Sequence, residues 1–222
     1  MHILLAVAAL ALPLHGKTIV IDPGHNGRNW AHPSEINRLV DAGGFRKACD
    51  TTGASTNDGY NEAAYNFDVA LRLARILRAA GARVVLTRTT NNGWGPCINE
   101  RAAIGNRAHA DAAISIHADG GPSVGRGFHV IYKPGAALSY RLALAIRAAF
   151  GDGTGEPYST YVGSQGLDVR SDLGGLNLSV VPKVFVETGN MRNATDAQRL
   201  ESAVYRQREA AALARGLEAF LH

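Results

Sequence analysis

Three residues that can bind metals or carry protons each stand where an apolar stretch of the sequence ends. His25 follows "TIVID", His117 follows "AAISI" and Glu187 follows "KVFV". A fourth, Glu62, opens the helical stretch "EAAYNFDVALRLARILRAAG". Two histidines with a carboxylate are the ligand set of catalytic zinc sites, and a second carboxylate is what such a site needs to move protons. If the fold brings these four side chains together, the chemistry they indicate is hydrolysis by metal-activated water.

Each of these residues also has an ordinary structural interpretation. A histidine at the end of a strand is commonly a hydrogen-bonded turn residue, and a glutamate at a helix start is favoured by the helix dipole. Glu187 is harder to explain in this way, because a carboxylate that ends the apolar run "VFV" is costly to bury without a partner. The sequence assigns no role to the competing histidines His32, His109 and His129.

The elements that must position these residues alternate between strands and helices. Strands are predicted at residues 18–21, 83–88, 127–132 and 183–187, and within "DAAISIHADGG". Helices are predicted after residue 61, in "INERAAIGNRAHA", at residues 139–150, and from Thr195 to about residue 221. Thr195 is the expected N-cap of the last helix, because Gln198 three residues later completes a capping box.

This alternation predicts an α/β fold, with a single twisted, mostly parallel sheet flanked by helices on both faces. Ligands of such sheets bind outside the carboxyl ends of the strands. His25, His117 and Glu187 are therefore expected at one rim of the sheet, and the helix that Glu62 opens leads away from that rim. The polar, Gly-rich segment at residues 26–61 is too long for an ordinary connection, which favours a functional loop.

The first residues, "MHILLAVAALALPLHG", contain an apolar run at residues 3–14. A run of this length is shorter than the roughly 20 residues that span a bilayer, and it is typical of a signal peptide. We therefore predict a signal peptide at residues 1–16 and a catalytic domain at residues 17–222. The mature domain would be exported to the periplasm, cell wall or exterior, without stable membrane insertion. A buried first strand or helix is the alternative.

The chain has two cysteines, Cys49 and Cys97. In an exported protein such a pair predicts one disulfide, which would close a loop of about 49 residues and stabilise the fold by roughly 4 kcal/mol. Zinc binding is the alternative for two cysteines, but neither belongs to a Cys-x-x-Cys pair.

The charge of the chain bears on its partners. The net charge is +4, and the arginines are scattered rather than grouped into a basic stripe with aromatic residues, so nucleic acid is not the expected partner. An anionic polymer such as a cell wall also suits a mildly basic chain. We expect the protein to act as a monomer.

Three segments of the sequence resemble the signature blocks of the zinc-dependent N-acetylmuramoyl-L-alanine amidases, the amidase-3 family. They are "IVIDPGHNG", "RAAIGNRAHADAAISIHAD" and "VFVETGNMRNATDAQRL", in the order found in that family. The resemblance implies that His25, Glu62 and His117 hold one Zn²⁺ and that Glu187 is the catalytic carboxylate. Arg101 also fits the family pattern in the helix before the second histidine.

The resemblance further implies a peptidoglycan hydrolase that cleaves the amide between N-acetylmuramic acid and L-alanine, in the wall or in muropeptide fragments. Two alternatives stay open on the residues alone. A zinc peptidase or deacetylase would use the same ligand set on another amide, and a non-catalytic wall-binding module would keep the fold without the chemistry. No substrate-binding residue is assigned from the sequence.

Overall fold

Strands and helices alternate along most of residues 12–222, the part of the chain that the computed structural model describes. The strands are β1 (Thr18–Pro23), β2 (Leu39–Asp41), β3 (Arg46–Ala48), β4 (Arg83–Leu86), β5 (Ala112–Asp119), β6 (His129–Tyr132), β7 (Leu167–Val169) and β8 (Lys183–Asn190). The helices are α1 (Pro33–Ile36), α2 (Glu62–Ala79), α3 (Ile98–Arg107), α4 (Ala137–Thr154), α5 (Gly174–Asn177), α6 (Ala194–Glu201) and α7 (Ala203–Leu221). A short 3-10 turn, Asn29–Ala31, precedes α1.

The main sheet has the strand order β4-β1-β5-β8-β6-β7. Strands β4, β1, β5 and β8 are parallel to one another. Strand β6 runs antiparallel to β8 and parallel to β7. The carboxyl ends of the four parallel strands therefore lie along one rim. Strands β2 and β3 form a separate antiparallel hairpin within the long polar segment. The predicted single, mostly parallel sheet is confirmed.

Helices cover both faces of the sheet, as the sequence predicts. On one face α2, α4 and α7 bury the main hydrophobic core against apolar strand residues, which include Ile19, Ile21, Ile114, Ile116, Val184 and Val186. Helices α3 and α5 lie on the other face, where Val20 and Ala113 form a smaller apolar cluster and the backbone at Gly175 approaches Phe185 closely.

The alternation of side chains along a strand decides which residues face the rim together. In β5, Ile116 belongs to the main core, so the neighbouring His117 faces the opposite side of the sheet. The same parity in β8 sends Val186 to the core and Glu187 to the other side. Because His117 and Glu187 are partners in the β5–β8 register, the two polar side chains leave the sheet side by side.

The C-terminal segment differs from the prediction of one helix capped by Thr195. Asn193 is the N-cap of α6, and its side chain accepts the N–H groups of Thr195 and Asp196 at 3.1 and 3.3 Å. The helix then breaks at Ser202, which has an extended ψ of 117° and caps α7 by accepting the Tyr205 N–H. The prediction was wrong because two good capping residues, Asn193 and Ser202, interrupt a sequence whose apolar spacing is continuous.

A disulfide joins Cys49 and Cys97, with an S–S distance of 2.12 Å and a separation of 48 positions in the sequence. The structure thus contains the bond that the pair of cysteines predicts. Cys49 follows β3 directly, and Cys97 is the N-cap of α3. The disulfide therefore attaches the long polar segment to the helix that packs under the rim.

The first described residues pack against the core. Leu14 is 1% exposed, and its N–H donates to the carbonyl of Ala80 at 2.9 Å, just beyond α2. Residues 1–11, which make up most of the predicted signal peptide, lie outside the described residues. Within residues 12–222, no helix combines the length and the apolar character that a membrane crossing requires.

A chain of buried hydroxyl and carboxyl groups connects α7 to the end of β5. Glu209 Oε2 lies 2.9 Å from the Tyr65 hydroxyl, Tyr65 lies 2.6 Å from the Thr188 hydroxyl, and Thr188 donates to the carbonyl of His117 at 3.0 Å. The Tyr65 hydroxyl donates to Glu209. Burial raises the pKa of the Glu209 carboxyl well above its usual value, which favours its neutral form.

The first prediction concerns the stability contributed by this neutral carboxyl. Because the pKa of Glu209 is raised in the folded state, its contribution is complete below the ordinary pKa of 4.5 and is lost as the pH rises through the folded value. Glu209→Gln keeps a neutral side chain that can accept the Tyr65 hydroxyl at every pH. Above about pH 4.5 the variant should therefore gain stability over wild type, by up to about 1.4 kcal/mol per pH unit.

Urea unfolding between about pH 4.5 and about pH 8 measures this difference. The matched control is Glu201→Gln, an exposed position that should show no such trend. Parallel stability curves for wild type and Glu209→Gln would contradict a neutral Glu209.

Candidate metal centre

His25, Glu62 and His117 meet at the rim of the sheet. One potential ligand atom from each residue lies within 4.8 Å of the other two. Glu62 stands between the imidazoles, with Oε2 3.2 Å from His25 Nε2 and Oε1 2.9 Å from His117 Nδ1. Two ring nitrogens and a carboxylate in this arrangement are a donor set suited to zinc, and three protein ligands leave a further coordination position open.

Local backbone geometry brings these side chains so close together. His25 has a φ of 57°, a left-handed conformation that is uncommon outside glycine and that turns its side chain back toward the sheet. Gly24 and Gly53 give the rings room. A Cβ at Gly24 would lie 2.1 Å from His117, and one at Gly53 would lie 2.7 Å from His25 and 2.8 Å from Glu62. The backbone of the turn "DPGHNG" therefore has the conformation that lets His25 and His117 lie close together.

Glu62 is held by backbone groups as well as by the histidines. It is the first residue of α2, whose N-cap Asn61 accepts the Ala64 N–H. The N–H groups of Ala54 and Ala118 donate to its two carboxylate oxygens at 2.7 and 3.2 Å. Although burial alone would raise the pKa of Glu62, the charges and hydrogen bonds of His25 and His117 keep it well below the usual value. The carboxylate is thus held ready in its ionised form.

Asp50 and Arg101 fix the orientation of His25 from behind. His25 Nδ1 lies 3.2 Å from Asp50 Oδ1 and 3.0 Å from the carbonyl of Thr51, which directs Nε2 toward the cluster. Arg101 Nη2 donates to Asp50 at 3.0 Å and to the carbonyl of His25 at 2.9 Å. Such partners of a ligating histidine set both its tautomer and the direction of its ligand nitrogen.

The disulfide belongs to the same support. Cys49 immediately precedes Asp50, and Cys97 begins the helix that carries Arg101, so the bond holds the two supporting residues near each other. The N–H of Ile98 also donates to the carbonyl of Cys49 at 2.8 Å. The covalent link therefore contributes to the geometry of the histidine as well as to the stability of the fold.

The charges at the cluster favour a cation. Burial by itself lowers the pKa of His25, but the carboxylates of Glu62 and Asp50 raise it to about 10. Burial likewise raises the pKa of Asp50, but Arg101 and His25 bring it down to about 2. The site therefore stabilises positive charge strongly, which is a property that a divalent cation would use. By donor type, spacing and charge, the residues fit a metal ion.

Glu187 lies beside the cluster in a cleft of 280 Å³, which we call the metal cleft and which His25, Glu62, His117 and Glu187 line together. Among residues 12–222, no hydrogen-bond partner reaches the buried Oε2 of Glu187. Burial, followed by the charges of Glu62 and Asp119, raises the pKa of Glu187 well above its usual value. A carboxyl in this environment holds a proton more readily than an exposed one and releases it when a positive charge comes near.

The other histidines stay outside this group of residues. His129 is buried in β6, where it pairs in register with Glu187, and His32 lies on the surface near Glu35. His109 follows α3 with a φ of 48°. None of the three belongs to the group of potential ligands found among the described residues.

Two supporting residues were not identified from the sequence. Asp50 stands in a Gly-rich loop without periodicity, and only its position next to Cys49 hinted at burial. Asp22 is the second-last residue of β1, and its place before Pro-Gly favours a turn residue over one that orients the His25 loop. It is nevertheless 1% exposed and accepts hydrogen bonds from Arg101 at 2.8 Å and from Lys183 at 3.1 Å. In both cases the partner is distant in the sequence, so local pattern carried no signal.

Comparison with known proteins gives one consistent result. A family model described as N-acetylmuramoyl-L-alanine amidase matches residues 19–219. The N-acetylmuramoyl-L-alanine amidase Rv3717 of Mycobacterium tuberculosis is 42% identical over an alignment of 226 positions, which covers 99% of this chain and 92% of that protein.

Solved structures agree with the sequence comparison. The N-acetylmuramyl-L-alanine amidase Ami1 of Mycobacterium smegmatis superposes with a TM-score of 0.90 and 42% identity, covering 94% of this chain and 98% of that chain. The apo form of Ami1 of Mycobacterium abscessus gives a TM-score of 0.90 and 41% identity, covering 94% of this chain and 100% of that chain.

The second prediction tests the support of His25. Asp50→Asn keeps the size of the side chain but removes the charge that orients His25 and pairs with Arg101. We expect the affinity for Zn²⁺ to fall by about 10- to 100-fold while the fold is retained. Competition against a chromogenic zinc chelator measures the affinity, and circular dichroism checks the fold.

Asp58→Asn is the matched control, because Asp58 lies in the same long segment and is exposed. Equal zinc affinity in the two variants would mean that Asp50 does not position the histidine.

Proposed function

The chain belongs to the N-acetylmuramoyl-L-alanine amidase family, and from that premise we propose which of its residues carry out the reaction. It is a peptidoglycan hydrolase that cleaves the amide between N-acetylmuramic acid and the L-alanine of the stem peptide.

We assign the metal to His25 through Nε2, to His117 through Nδ1 and to the Glu62 carboxylate, and we propose that the ion is Zn²⁺. The spacing of these atoms within 4.8 Å and the mixed nitrogen and oxygen donors support both assignments. When bound, the ion supplies Lewis acidity to water and to the amide carbonyl. The protein's own part is to hold His25 in one orientation through Asp50, Thr51 and Arg101.

Glu187 is the proton carrier. It accepts a proton at Oε2 from the water that adds to the carbonyl carbon, and it then delivers this proton to the nitrogen of L-alanine as the C–N bond breaks. The amine leaves, and the lactyl group of muramic acid keeps the new carboxylate. The observation that carries this role is the buried Oε2 of Glu187, without a partner among residues 12–222, in the cleft that also holds the metal ligands.

This arrangement argues against a non-catalytic wall-binding module. A binding module does not need a costly buried carboxyl next to three metal-ligating groups, and loss of any of the four would leave a wall-binding surface intact. A closed structural zinc site would need a fourth protein ligand, and the group found among the described residues has three.

The third prediction separates the two roles. Glu187→Gln should lower the release of stem peptide from purified peptidoglycan fragments by at least about 100-fold, because the amide cannot accept the proton. Zinc content should stay at one ion per chain, since Glu187 is not a ligand. Loss of zinc together with activity would instead make Glu187 a ligand, and retention of most of the activity would remove it from the mechanism.

Two controls complete that measurement. Glu201→Gln changes an exposed carboxylate and should leave the activity unchanged. Chelation of wild type should abolish the release of stem peptide, and added Zn²⁺ should restore it. Cleavage at a bond other than the one between muramic acid and L-alanine, read by mass spectrometry of the products, would favour the peptidase alternative.

We further propose that the chain acts outside the cytoplasm as a monomeric catalytic domain. Its substrate class and its disulfide support this location. The buried position of Leu14 bears on the mature form, because cleavage after residue 16 would remove a side chain from the hydrophobic core. The carbonyl of Leu12 accepts the N–H of His15 at 3.0 Å and so closes the turn that carries Leu14. We therefore propose a mature N-terminus at or before Leu12, rather than at Lys17.

The fourth prediction follows from this placement. Intact mass of the exported protein should give a first residue no later than Leu12. A mature chain that begins at Lys17 and has the same thermal stability as one that includes Leu14 would contradict the proposed boundary.

A further inference from the structure

A second hollow adjoins the metal cleft on the side of the Gly-rich loop. We call it the Trp30 hollow; it has a volume of 270 Å³ and is lined by Trp30, Thr52, Gly53, Ala54, Ser55 and Asn61, among others. Gly53 and Ala54 also line the metal cleft, so the two spaces share a wall. A substrate that reaches the metal centre can therefore extend into the hollow without crossing another element.

Trp30 is the feature that requires an explanation. Its side chain is 70% exposed, although indole is among the largest apolar groups. Single exposed apolar residues are common at protein surfaces, and valines at positions 124, 180 and 204 are more exposed still. Trp30 differs from them because it is aromatic, because it borders a cavity and because that cavity opens beside the candidate metal site.

The backbone that carries Trp30 is held firmly in place. Asn29, which precedes it, is 1% exposed, donates to the carbonyl of Thr51 at 2.6 Å and accepts the N–H of Gly95 at 2.9 Å. The N–H of Arg28 donates to the carbonyl of Gly93 at 2.9 Å. The exposed ring is therefore presented by an anchored turn, and little backbone freedom remains to be lost when a ligand stacks on it.

The hollow offers an aromatic face together with neutral polar groups. Hydroxyls of Thr52 and Ser55 line it, and so does Asn61, whose Oδ1 accepts the Ala64 N–H and whose Nδ2 remains as a donor. None of the described lining residues is ionisable. The metal cleft differs in this respect, because Asp119, Glu187 and Arg170 line it.

We propose that the Trp30 hollow is a subsite for one sugar ring of the glycan strand, with the ring stacked on the indole of Trp30. One face of a pyranose presents C–H groups that are weakly positive and apolar, which complements the negative face of an aromatic ring. The hydroxyls and N-acetyl group at the rim of the sugar suit neutral donors and acceptors such as Thr52, Ser55 and Asn61. The volume fits a single ring, since pockets for larger ligands begin at about 300 Å³.

The peptide arm of the substrate suits this space less well. Stem peptides carry ionised groups, and an uncharged hollow offers them no partner, whereas Arg170 lies in the metal cleft itself. The inference rests on the proposed function, because it takes the scissile amide to lie at the metal centre. It adds that the glycan strand extends from the metal centre toward Trp30.

The chain provides a direct reporter for the fifth prediction, because it has two tryptophans, Trp30 and Trp94. In Trp94→Phe, the emission comes from Trp30 alone. Titration with a peptide-free N-acetylglucosamine–N-acetylmuramic acid disaccharide should change this emission saturably. Trp30→Phe, in which Trp94 is the reporter, should give no saturable change.

Kinetics provide the second measurement. Trp30→Ala should raise KM for disaccharide-peptide substrates by about tenfold with little change in kcat, because stacking contributes to binding rather than to bond cleavage. A D-lactoyl-L-alanyl peptide, which has the same scissile amide without a sugar, should be hydrolysed equally by wild type and Trp30→Ala. Since Trp30 is exposed, the unfolding midpoint should be unchanged.

The outcomes separate the subsite from the function it rests on. A saturable disaccharide signal from Trp30 without any amidase activity would refute the proposed catalytic roles and keep the subsite. No emission change in Trp94→Phe at concentrations that saturate the enzyme would overturn the subsite, as would a response to free stem peptide but not to the disaccharide. An equal rise in KM for the sugar-free peptide would mean that Trp30 supports the cleft in some other way.

Discussion

The buried carboxylate of Asp22 is the interaction on which the arrangement at the rim depends. It accepts hydrogen bonds from Thr87 at 2.7 Å, Arg101 at 2.8 Å, Ser115 at 2.6 Å and Lys183 at 3.1 Å. These partners come from the end of β4, from α3, from β5 and from β8, so one side chain of β1 connects all four parallel strands. Burial alone would raise the pKa of Asp22, but Lys183 and Arg101 keep it well below the usual value. Loss of one partner of such a buried pair costs about 3–5 kcal/mol, which makes alternative registers of these strands unfavourable.

The same charges extend from the sheet to the candidate metal ligands. Arg101 bonds Asp22 with Nη1 and Asp50 with Nη2, and Asp50 in turn contacts His25. The position of a ligand in a flexible-looking loop is thus coupled to the rigid centre of the sheet. His117 is fixed independently, by its strand and by the buried hydroxyl chain that ends on its carbonyl. Two ligands from separate elements therefore reach one point with little freedom, as a site with fixed metal geometry requires.

The surroundings of the metal centre divide by polarity in a way that matches a substrate made of sugar and peptide. The metal cleft contains ionisable groups, among them Glu187, whose buried Oε2 has no hydrogen-bond partner among residues 12–222. The adjoining Trp30 hollow is neutral and aromatic. Because the two share Gly53 and Ala54, small residues that leave the wall thin, a substrate can contact both at once. The left-handed conformation at Gly53, with a φ of 78°, also lets His25 and Glu62 approach that wall closely.

Much of this protein is determined by its local sequence. Alternating apolar residues define the strands and their inner faces, and the alternation of strands with helices predicted the mostly parallel sheet. Residues at the strand ends, the glutamate that opens α2 and the three motif blocks predicted the four candidate residues that line the metal cleft together. Local pattern predicted one C-terminal helix where the structure has two. The apolar spacing is continuous there, and it does not show that Asn193 and Ser202 each cap a separate helix. Local pattern also failed for Asp50, Asp22 and Trp30. Asp50 contacts Arg101, and Asp22 contacts Arg101 and Lys183, which are far from them in the chain. Trp30 borders a hollow that Ala54, from a later part of the long polar segment, also lines. Only the folded structure buries the carboxylates of Asp22 and Asp50, and burial is what makes them require a cationic partner. Likewise, only the folded structure brings together the residues that form the hollow beside the exposed ring of Trp30.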